Sequence, residues 1–393
     1  MSDRSSNLSL NLLSIAYFSM GTATLAVVGT LPAIAHSLKL GEGAVAFLVS
    51  IFAITFAISA PAFQVLVGHW PRKRLLLIGL ALMAAGTFGT ALAPNYPLLL
   101  AARIVAALGA AAIGPVASAL GTSLVPQERQ GHALAVVFSG MTIATVVGVP
   151  LSTWLGDVLG WRPTFALIGL ATMVVAGLVA RCVADGGPGQ RIDPGQLLEV
   201  FLRPATAAGI AVMVLEMAGL FASYTMITPL LRDRFGAGIE TVSAMLIVYG
   251  LAGVFGNFLA RRVSRIWSAD RAMIVALLGL MTVFAGLFAG PGQIPFAVVL
   301  LVFWAICSDI FMPSQQRRMV ELAPEVRGLI LALNSSAIYV GMAVGSFAAG
   351  SLLPVAGFGG LPLVSLAFLA ASLIAFLLSR HGARRVGGRQ PAF

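Results

Sequence analysis

Two acidic residues lie near the middle of long apolar segments, where few polar side chains accompany them. Glu216 is the sixth residue of "AVMVLEMAGLF", twelve residues after Pro204, and Asp309 lies fifteen residues into the segment that begins at Ile294. At about 1.5 Å per helical residue, Glu216 is about 18 Å along its helix, near the middle of a bilayer. An ionised carboxylate at that depth costs about 2.5–3.5 kcal/mol, so the neutral form is favoured and the group is suited to proton exchange.

Each of these ionisable residues also has a purely structural interpretation. Glu216 and Asp309 would then be bonded to neighbours such as Asn334 or Tyr249 and take no part in proton exchange. Arg103 is the one charged residue within the apolar segments of the first half. It lies six residues after Pro97, only about 9 Å deep, so it could either act in proton handling or extend to the outer interface.

The composition requires an environment other than water for most of the chain. Of the 393 residues, 59% are hydrophobic and only 10% are charged, and the mean hydropathy is +0.97. A soluble domain has about a quarter of its residues charged, so a soluble fold is excluded. The two cysteines give no disulfide framework, and no cluster of His, Cys and carboxylate residues has metal-ligand spacing, so we expect no metal site.

Twelve apolar segments are long enough to cross a membrane as helices. They are Leu10–Ala35, Val45–Val67, Leu75–Ala93, Leu98–Val125, Ala133–Leu155, Phe165–Val183, Ala205–Leu231, Thr241–Ala260, Met273–Ala289, Ile294–Met319, Gly328–Leu353 and Leu361–Leu378. We expect the first segment to be retained rather than cleaved as a signal peptide.

The distribution of positive charge predicts the orientation of these segments. If the N-terminus is cytoplasmic, 19 of the 24 Lys and Arg residues lie in cytoplasmic segments and four lie in outer loops. This asymmetry follows the positive-inside rule, so we expect both termini to be cytoplasmic. The net charge of +10 is then a topology signal, and we expect inner-leaflet lipid, not nucleic acid, to be the anionic partner.

The two halves of the chain share landmarks at one spacing. "SLVPQERQGHALA" resembles "ELAPEVRGLILAL", and the offset of about 198 residues relates four sets of positions. These are Pro126 and Arg129 with Pro324 and Arg327, Pro32 with Pro229, Ser139 with Ser336, and Gly148 with Gly345. Six helices per half predict a parallel repeat about a pseudo-two-fold axis along the membrane normal. We predict six-helix bundles over residues 1–183 and 205–393, joined by a cytoplasmic linker over 184–204.

The chain resembles the major facilitator superfamily over nearly its whole length. Within that superfamily, "AARIVAALGA", "LVPQERQGHALA", "GMTIATVVGVPLSTWLGDVLGWRPTF" and "FASYTMITPLL" are similar to the drug/proton antiporter branch with its arabinose-efflux-like and purine-nucleoside-efflux-like permeases. The resemblance implies an all-α membrane protein of twelve helices, located in a bacterial-type inner membrane. It also implies transport driven by the proton gradient, without a cofactor.

Two motifs carry the resemblance, each with departures from the family pattern. In "GHWPRKRLLL", the cations Arg72, Lys73 and Arg74 match a loop that latches family members in one conformation, but Gly68 replaces its aspartate and Pro71 its glycine. The three cations could instead only mark the inner face.

The second motif is "GMTIATVVGVP", in which Gly140, Gly148 and Pro150 match the antiporter motif and predict a gating bend, although Ser152 replaces a usual glycine. The alternative is ordinary packing of small residues.

The same comparison suggests which residues couple transport to protons and which contact the substrate. Thr24 stands where family members often carry an acid, so the coupling role is expected to fall on Glu216 and Asp309, and Arg103 matches an arginine that takes part in proton handling in the family. We expect a largely apolar cavity with a few placed polar groups. The candidates to line it are Tyr17, Met20, Thr24, Leu220, Ser223, Tyr224, Tyr249, Trp304 and Asn334.

These expectations combine into one interpretation with three alternatives. The chain is predicted to be a monomeric proton-coupled antiporter that exports a small organic molecule, such as a drug, nucleoside or sugar, by alternating access. The nearest alternative is a proton symporter or uniporter that imports a nutrient. An intramembrane enzyme would need a nucleophile or metal constellation that the sequence lacks. A sensor or scaffold would need a signalling domain.

Overall fold

Helices occupy nearly all of the chain in the computed structural model, which describes residues 3–189, 195, 202–323 and 327–387. The first part of the chain forms seven helices separated by short turns. Their bounds are α1 Asp3–Leu38, α2 Glu42–Leu66, α3 Arg72–Leu92, α4 Tyr96–Ser123, α5 Gln130–Ile143, α6 Val149–Val158 and α7 Trp161–Cys182. A π-helical turn, Ala144–Gly148, joins α5 to α6, so these two form one helix of membrane-spanning length.

The second part of the chain forms six further helices. They are α8 Pro204–Tyr224, α9 Ile227–Phe235, α10 Ile239–Ile266, α11 Ala269–Ala289, α12 Ile294–Leu322 and α13 Arg327–Gly387. Within α13, Gly357 has φ 64° and ψ 176°, a conformation that glycine adopts readily and that interrupts the helix. In the described ranges, eleven helical stretches can cross a membrane, and the last of them contains this break and covers two of the predicted segments.

Contacts between residues divide the chain into two compact units. One comprises Met1–Ile192 with Gly238–Ile247, and the other comprises Asp193–Ala237 with Val248–Phe393. Several features of the sequence analysis lie outside the described residues. They are residues 190–194 and 196–201 of the predicted linker, and Pro324 of the repeated motif.

The seventh predicted segment, Ala205–Leu231, is discontinuous, which corrects the expectation of one unbroken helix. Helix α8 ends at Tyr224 and α9 begins at Ile227, so Thr225 and Met226 form a turn. Pro229 has no N–H group and therefore leaves the Thr225 carbonyl without its usual helical donor. The Thr225 hydroxyl is 2.7 Å from the Ser346 hydroxyl of α13, which ties the turn to a neighbouring helix. Broken helices of this kind are tolerated in membranes where other protein surrounds them.

Close packing of α8 against α13 positions the turn that carries Glu216. A Cβ atom added at Gly341 would meet the Val214 carbonyl oxygen, and one added at Gly345 would meet the Ala218 carbonyl oxygen. Small residues at such an interface allow two helix backbones to approach each other, which maximises van der Waals contact. Because Val214 and Ala218 flank Glu216, this contact fixes the position of the acid relative to α13.

We therefore expect Gly345→Leu to destabilise the second unit. The added side chain must displace the Ala218 backbone, and overpacking of this kind costs about 1–3 kcal/mol. The melting temperature of the purified protein should fall by several degrees. Gly177→Leu is the matched control, since a Cβ atom there has no neighbour within 4 Å. Equal melting temperatures for the two variants would contradict the packing role.

Candidate functional site

Glu216 is fully buried in α8, and both of its carboxylate oxygens lack a hydrogen-bond partner among the described residues. A buried ionised carboxylate without a donor has lost its hydration with nothing to replace it. The surroundings therefore favour the protonated, neutral carboxylic acid. No neighbouring donor holds the side chain in one orientation, so a ligand or a water molecule with a free donor would find an acceptor here.

Three aromatic side chains of the same unit meet in one cluster. The ring centroids of Tyr224 and Tyr249 are 5.6 Å apart, and the Trp304 ring lies 6.0 Å from Tyr224 and 5.7 Å from Tyr249. Phe284 packs edge-on against Trp304 at 4.6 Å. The Trp304 indole N–H is buried without an acceptor among the described residues, so the cluster combines packed aromatic rings with a free hydrogen-bond donor.

Tyr249 links this aromatic cluster to both acids. It lies within Coulombic range of Glu216, Asp309 and Tyr224. The structure therefore brings together five residues that the sequence analysis selected from three separate helices. They are Glu216 and Tyr224 of α8, Tyr249 of α10, and Trp304 and Asp309 of α12. We refer to these five residues as the acid–aromatic cluster.

Asp309 has a hydrogen-bond donor, in contrast to Glu216. The Asn257 side-chain amide donates to an Asp309 carboxylate oxygen over 2.6 Å. Gly253 and Gly256 leave room for Asp309 against α10, because a Cβ atom at either position would press on its side chain. Pro313, one helical turn later, lacks an N–H group, so the Asp309 main-chain carbonyl has no helical donor. Both the side chain and the backbone of Asp309 thus offer acceptors.

The remaining second-unit candidates for substrate contact are buried outside the acid–aromatic cluster. Leu220 is buried in α8, and the Ser223 hydroxyl is 2.7 Å from the Ser365 hydroxyl, which occupies it in a helix contact. Asn334 is fully buried, and neither atom of its side-chain amide has a partner among the described residues. It donates to neither acid, so the structural interpretation that paired Asn334 with them does not hold in this conformation.

Arg103 is fully buried in the first unit and does not extend to the interface, contrary to the alternative drawn from its shallow position. Its guanidinium donates to the Ala23 carbonyl over 3.0 Å and to the Thr24 carbonyl over 3.3 Å. The group also lies over the Phe52 ring at 4.4 Å. Carbonyl dipoles and an aromatic face, not a carboxylate, therefore stabilise this buried charge.

The first-unit candidates for substrate contact lie on α1 beside α4. The Thr24 hydroxyl donates to the Met20 carbonyl over 2.7 Å, which places Thr24 in the same turn that accepts from Arg103. Gly114 of α4 faces this surface, since a Cβ atom there would approach the Tyr17 hydroxyl at 3.4 Å and the Met20 sulfur at 3.7 Å. Tyr17, Met20 and Thr24 therefore follow one stripe of α1.

Two of the three cations at the start of α3 contact backbone carbonyls near the end of α7, and the third lies beside an aromatic ring. Lys73 donates to the Ala180 carbonyl over 2.8 Å, and Arg72 donates to the Gly186 carbonyl over 3.4 Å. The Arg74 guanidinium lies 5.5 Å from the centroid of the Trp70 ring. Among the described residues none of the three forms an ion pair, so this conformation contains no charge latch between them and a carboxylate.

The glycines predicted to form a gating bend lie against α1. A Cβ atom at Gly140 would overlap the Ser14 carbonyl oxygen, and one at Gly148 would approach the Thr22 hydroxyl at 2.5 Å. The π-helical turn ends at Gly148, immediately before Val149 and Pro150. Turns of this type interrupt the regular hydrogen-bond ladder and are frequent at functional sites.

Several residues around these groups were missed by the sequence analysis. Asn257 follows Gly253 by one helical turn, within the small-residue segment "YGLAGVFGN". Its polar side chain inside an apolar segment was the available signal. Gln315 is fully buried and donates to the Gly209 carbonyl over 2.7 Å. Within the described ranges, no group of three or more His, Cys, Asp and Glu side chains is placed to hold a metal ion.

The long apolar helices define a multi-pass membrane protein. The chain belongs to the Major Facilitator Superfamily, whose sequence model matches residues 13–346 and again residues 209–392. The predicted family and the predicted fold class, an all-helical membrane protein in two bundles, are thereby confirmed. The overlap of the two matched ranges also agrees with an internal repeat.

Two relatives support this assignment, and a solved structure shares the fold. The chain is 30% identical to the inner membrane transport protein YdhP of Escherichia coli K12, over 95% of this chain and 96% of that protein. It is 35% identical to a chloramphenicol resistance protein of Streptomyces lividans, over 75% and 76% of the two chains. A bacterial homologue of the human lysosomal transporter Spinster, in an inward-facing, unoccupied conformation, superposes with a TM-score of 0.77 at 16% identity, over 98% of both chains. The protein is therefore a multi-pass inner-membrane transporter.

The contacts of Arg103 predict that lysine cannot replace it. Lysine retains the charge, but its single ammonium group cannot donate to both α1 carbonyls at once. It also lacks the planar group that stacks on the Phe52 ring. We expect Arg103→Lys to lower stability by about 1–3 kcal/mol, because a buried charged donor is left incompletely bonded. Thermal unfolding of purified protein measures this loss, with the exposed Arg262→Lys as the control. An Arg103→Lys protein as stable as the control would refute this prediction.

Proposed function

We propose that this transporter is a proton-coupled antiporter that exports a small, amphipathic organic molecule by alternating access. The single observation that carries the proposal is the burial of Glu216 without a hydrogen-bond donor from any described residue. Intramembrane ionisable residues are expensive, and they commonly mark proton or substrate pathways. A carboxyl group with no fixed partner is free to exchange its donor, which a purely structural carboxylate is not.

In this mechanism the proton and the substrate bind to Glu216 in turn. When the site faces the cytoplasm, Glu216 loses its proton and accepts a hydrogen bond or a positive charge from the substrate. When the site faces outward, a proton from the outside binds to the carboxylate and removes that interaction, so the substrate leaves. Asp309 performs the same exchange nearby, with its carboxylate held by the Asn257 amide.

The aromatic members of the acid–aromatic cluster determine the substrate class. Tyr224, Tyr249 and Trp304 present aromatic faces within about one ring diameter of one another, and flat apolar molecules stack on such faces. The Trp304 N–H and the Glu216 carboxyl add one donor and one acceptor. A flat or partly aromatic molecule with one or two polar groups fits this combination, and drugs and nucleosides both meet it. The name of the Streptomyces lividans relative, a chloramphenicol resistance protein, supports export of a small drug.

The first unit supplies supporting roles. Arg103 acts in proton handling through the α1 carbonyls, and Tyr17, Met20 and Thr24 form the substrate-facing stripe of α1. The bend after the π-helical turn, at Gly148 and Pro150, serves as the gating element.

The proposed organisation in the membrane follows from the positive charges. Arg72, Lys73 and Arg74 lie on the cytoplasmic side in the positive-inside orientation, with both termini cytoplasmic. The linker over residues 184–204 connects bundles over 1–183 and 205–393. The protein works as a monomer and needs no cofactor, since the proton gradient drives transport.

Neutralising Glu216 should abolish proton-driven transport while the protein still inserts and folds. Glutamine keeps the size of the side chain but cannot exchange a proton. The assay uses everted membrane vesicles with an acidified lumen and radiolabelled chloramphenicol as the first probe. Vesicles that contain the Glu216→Gln protein should not accumulate the probe. Glu240→Gln is the control, because Glu240 is an exposed acid in the first turn of α10. Melting temperatures of both purified variants verify folding.

The direction and the pH dependence of flux separate the alternatives. The antiporter moves solute into the acidified lumen, whereas a proton symporter moves it out of the lumen, and a uniporter does not respond to the pH gradient. Full gradient-driven accumulation by Glu216→Gln would disprove the coupling role of Glu216. Because glutamine also mimics the protonated acid, binding of the probe to the variant should be weaker than to the wild-type protein at high pH.

A further inference from the structure

A cavity of about 360 Å³ lies in the second unit, among α10, α11 and α12, and its lining includes no member of the acid–aromatic cluster. Its volume is within the range of small-molecule sites, about 300–1,000 Å³. The lining combines two arginines, several hydroxyl groups and small apolar residues. It consists of Asn257, Ala260, Arg261, Ser264, Trp267, Ser268, Ala269, Ala272, Pro313, Ser314 and Arg317. The transport mechanism proposed above uses only one of these residues, Asn257.

Arg317 is held in place as an anion-binding group by contacts with the cavity wall. Its Nη1 donates to the Ser264 carbonyl over 2.9 Å and to the Trp267 carbonyl over 3.4 Å, and its Nε donates to Glu321 over 2.8 Å. These contacts fix the guanidinium plane, while Nη2 has no partner among the described residues. A fixed guanidinium edge with free donors matches the geometry of a phosphate group.

Arg261 gives the cavity its net positive charge, because the charge of Arg317 is neutralised by its ion pair with Glu321. It lines the same cavity and is exposed, and its guanidinium has no hydrogen bond or ion pair among the described residues. Ser264, one helical turn later, donates to the Arg261 carbonyl over 2.9 Å and so orients its hydroxyl oxygen beside the cavity. The cavity therefore carries a net positive charge that no side chain of the described chain neutralises.

The start of α11 adds main-chain donors to the same cavity. Ser268 caps this helix, with its hydroxyl oxygen accepting from the Arg271 N–H, and Ala269 begins the first turn, whose N–H groups have no acceptor within a helix. Asp270, the one acid in this turn, is directed elsewhere: its carboxylate bonds to Arg318 at 2.9 Å and lies 3.4 Å from Arg380. The positive end of the helix thus remains available for an anion.

The apolar part of the lining fits a lipid more closely than a free ion. Ala260, Ala272 and Pro313 provide a smooth apolar wall, and Trp267 lies at the end of α10 with the Arg271 guanidinium 5.0 Å from its ring centroid. Tryptophan and arginine together are typical of the headgroup level of a bilayer. Basic pockets between membrane helices on the cytoplasmic side bind anionic headgroups.

We infer that this cavity is a binding site for a phosphate group, and that its physiological source is the headgroup of an anionic phospholipid. Arg261 and Arg317 contact the phosphate oxygens, the α11 N–H groups complete the contacts, and the glycerol and the first part of the acyl chains lie against the apolar wall. Because α10, α11 and α12 all contribute, the bound headgroup ties their ends together.

The test uses thermal unfolding of the purified full-length protein in detergent. The protein is titrated with phosphatidylglycerol, with phosphatidylcholine as the lipid without net charge, and with inorganic phosphate. The variants are Arg261→Gln and Ser264→Asp at the cavity and Arg262→Gln as the matched control. Arg262 is an exposed arginine of the same helix that does not line the cavity.

Phosphatidylglycerol should raise the melting temperature of the wild-type and Arg262→Gln proteins at lower concentrations than phosphatidylcholine. The half-saturating concentration should rise about fivefold in Arg261→Gln, and similarly in Ser264→Asp, since one arginine near a membrane surface contributes about that factor. Protection by inorganic phosphate that is also lost in Arg261→Gln would support the phosphate site but overturn the lipid as its source. Equal phosphatidylglycerol protection of Arg261→Gln and Arg262→Gln, or none in the wild type, would overturn the site.

Discussion

The loss of hydration at Glu216 is the constraint around which the second unit is arranged. In a region that excludes water, an ionised carboxylate without a donor is unfavourable by several kcal/mol, whereas the protonated acid is tolerated. No described residue donates to either carboxylate oxygen. The protonation of this side chain therefore depends on what else enters the site, either a proton or a substrate group. Asp309, whose carboxylate accepts from Asn257, is held more firmly and offers a second, better-solvated acceptor.

The surrounding helices maintain this arrangement through close backbone contact. Gly341 and Gly345 allow α13 to pack directly against the turns on either side of Glu216, which leaves little room for water around the acid. Further along the same helix, the break at Thr225 and Met226 ends α8 just after Tyr224, so the aromatic cluster lies beside a discontinuity in the helix. Transporters commonly place their binding sites at such discontinuities, where half-helices can shift independently.

The sequence predicted the membrane-spanning helices well, because the length of an apolar segment is a one-dimensional property. It also selected Tyr224, Tyr249 and Trp304, which the structure brings into ring contact. It could not predict the rotation of a helix about its axis, and for that reason it left open whether Arg103 is buried or at the interface. The partner of Asp309 depended on the same rotation, so Asn257 was missed. The break in the seventh segment depended on tertiary contacts with α13, which hydropathy does not reveal.

Infrared difference spectroscopy of the purified protein measures the protonation of Glu216 most directly, because a protonated carboxyl group has a carbonyl stretch separate from that of a carboxylate. A spectrum of the wild-type protein minus that of Glu216→Gln isolates the contribution of this one side chain. The account predicts a protonated carboxyl band at neutral pH that is lost when a transported substrate binds. A carboxylate band at neutral pH that is unaffected by substrate would contradict it.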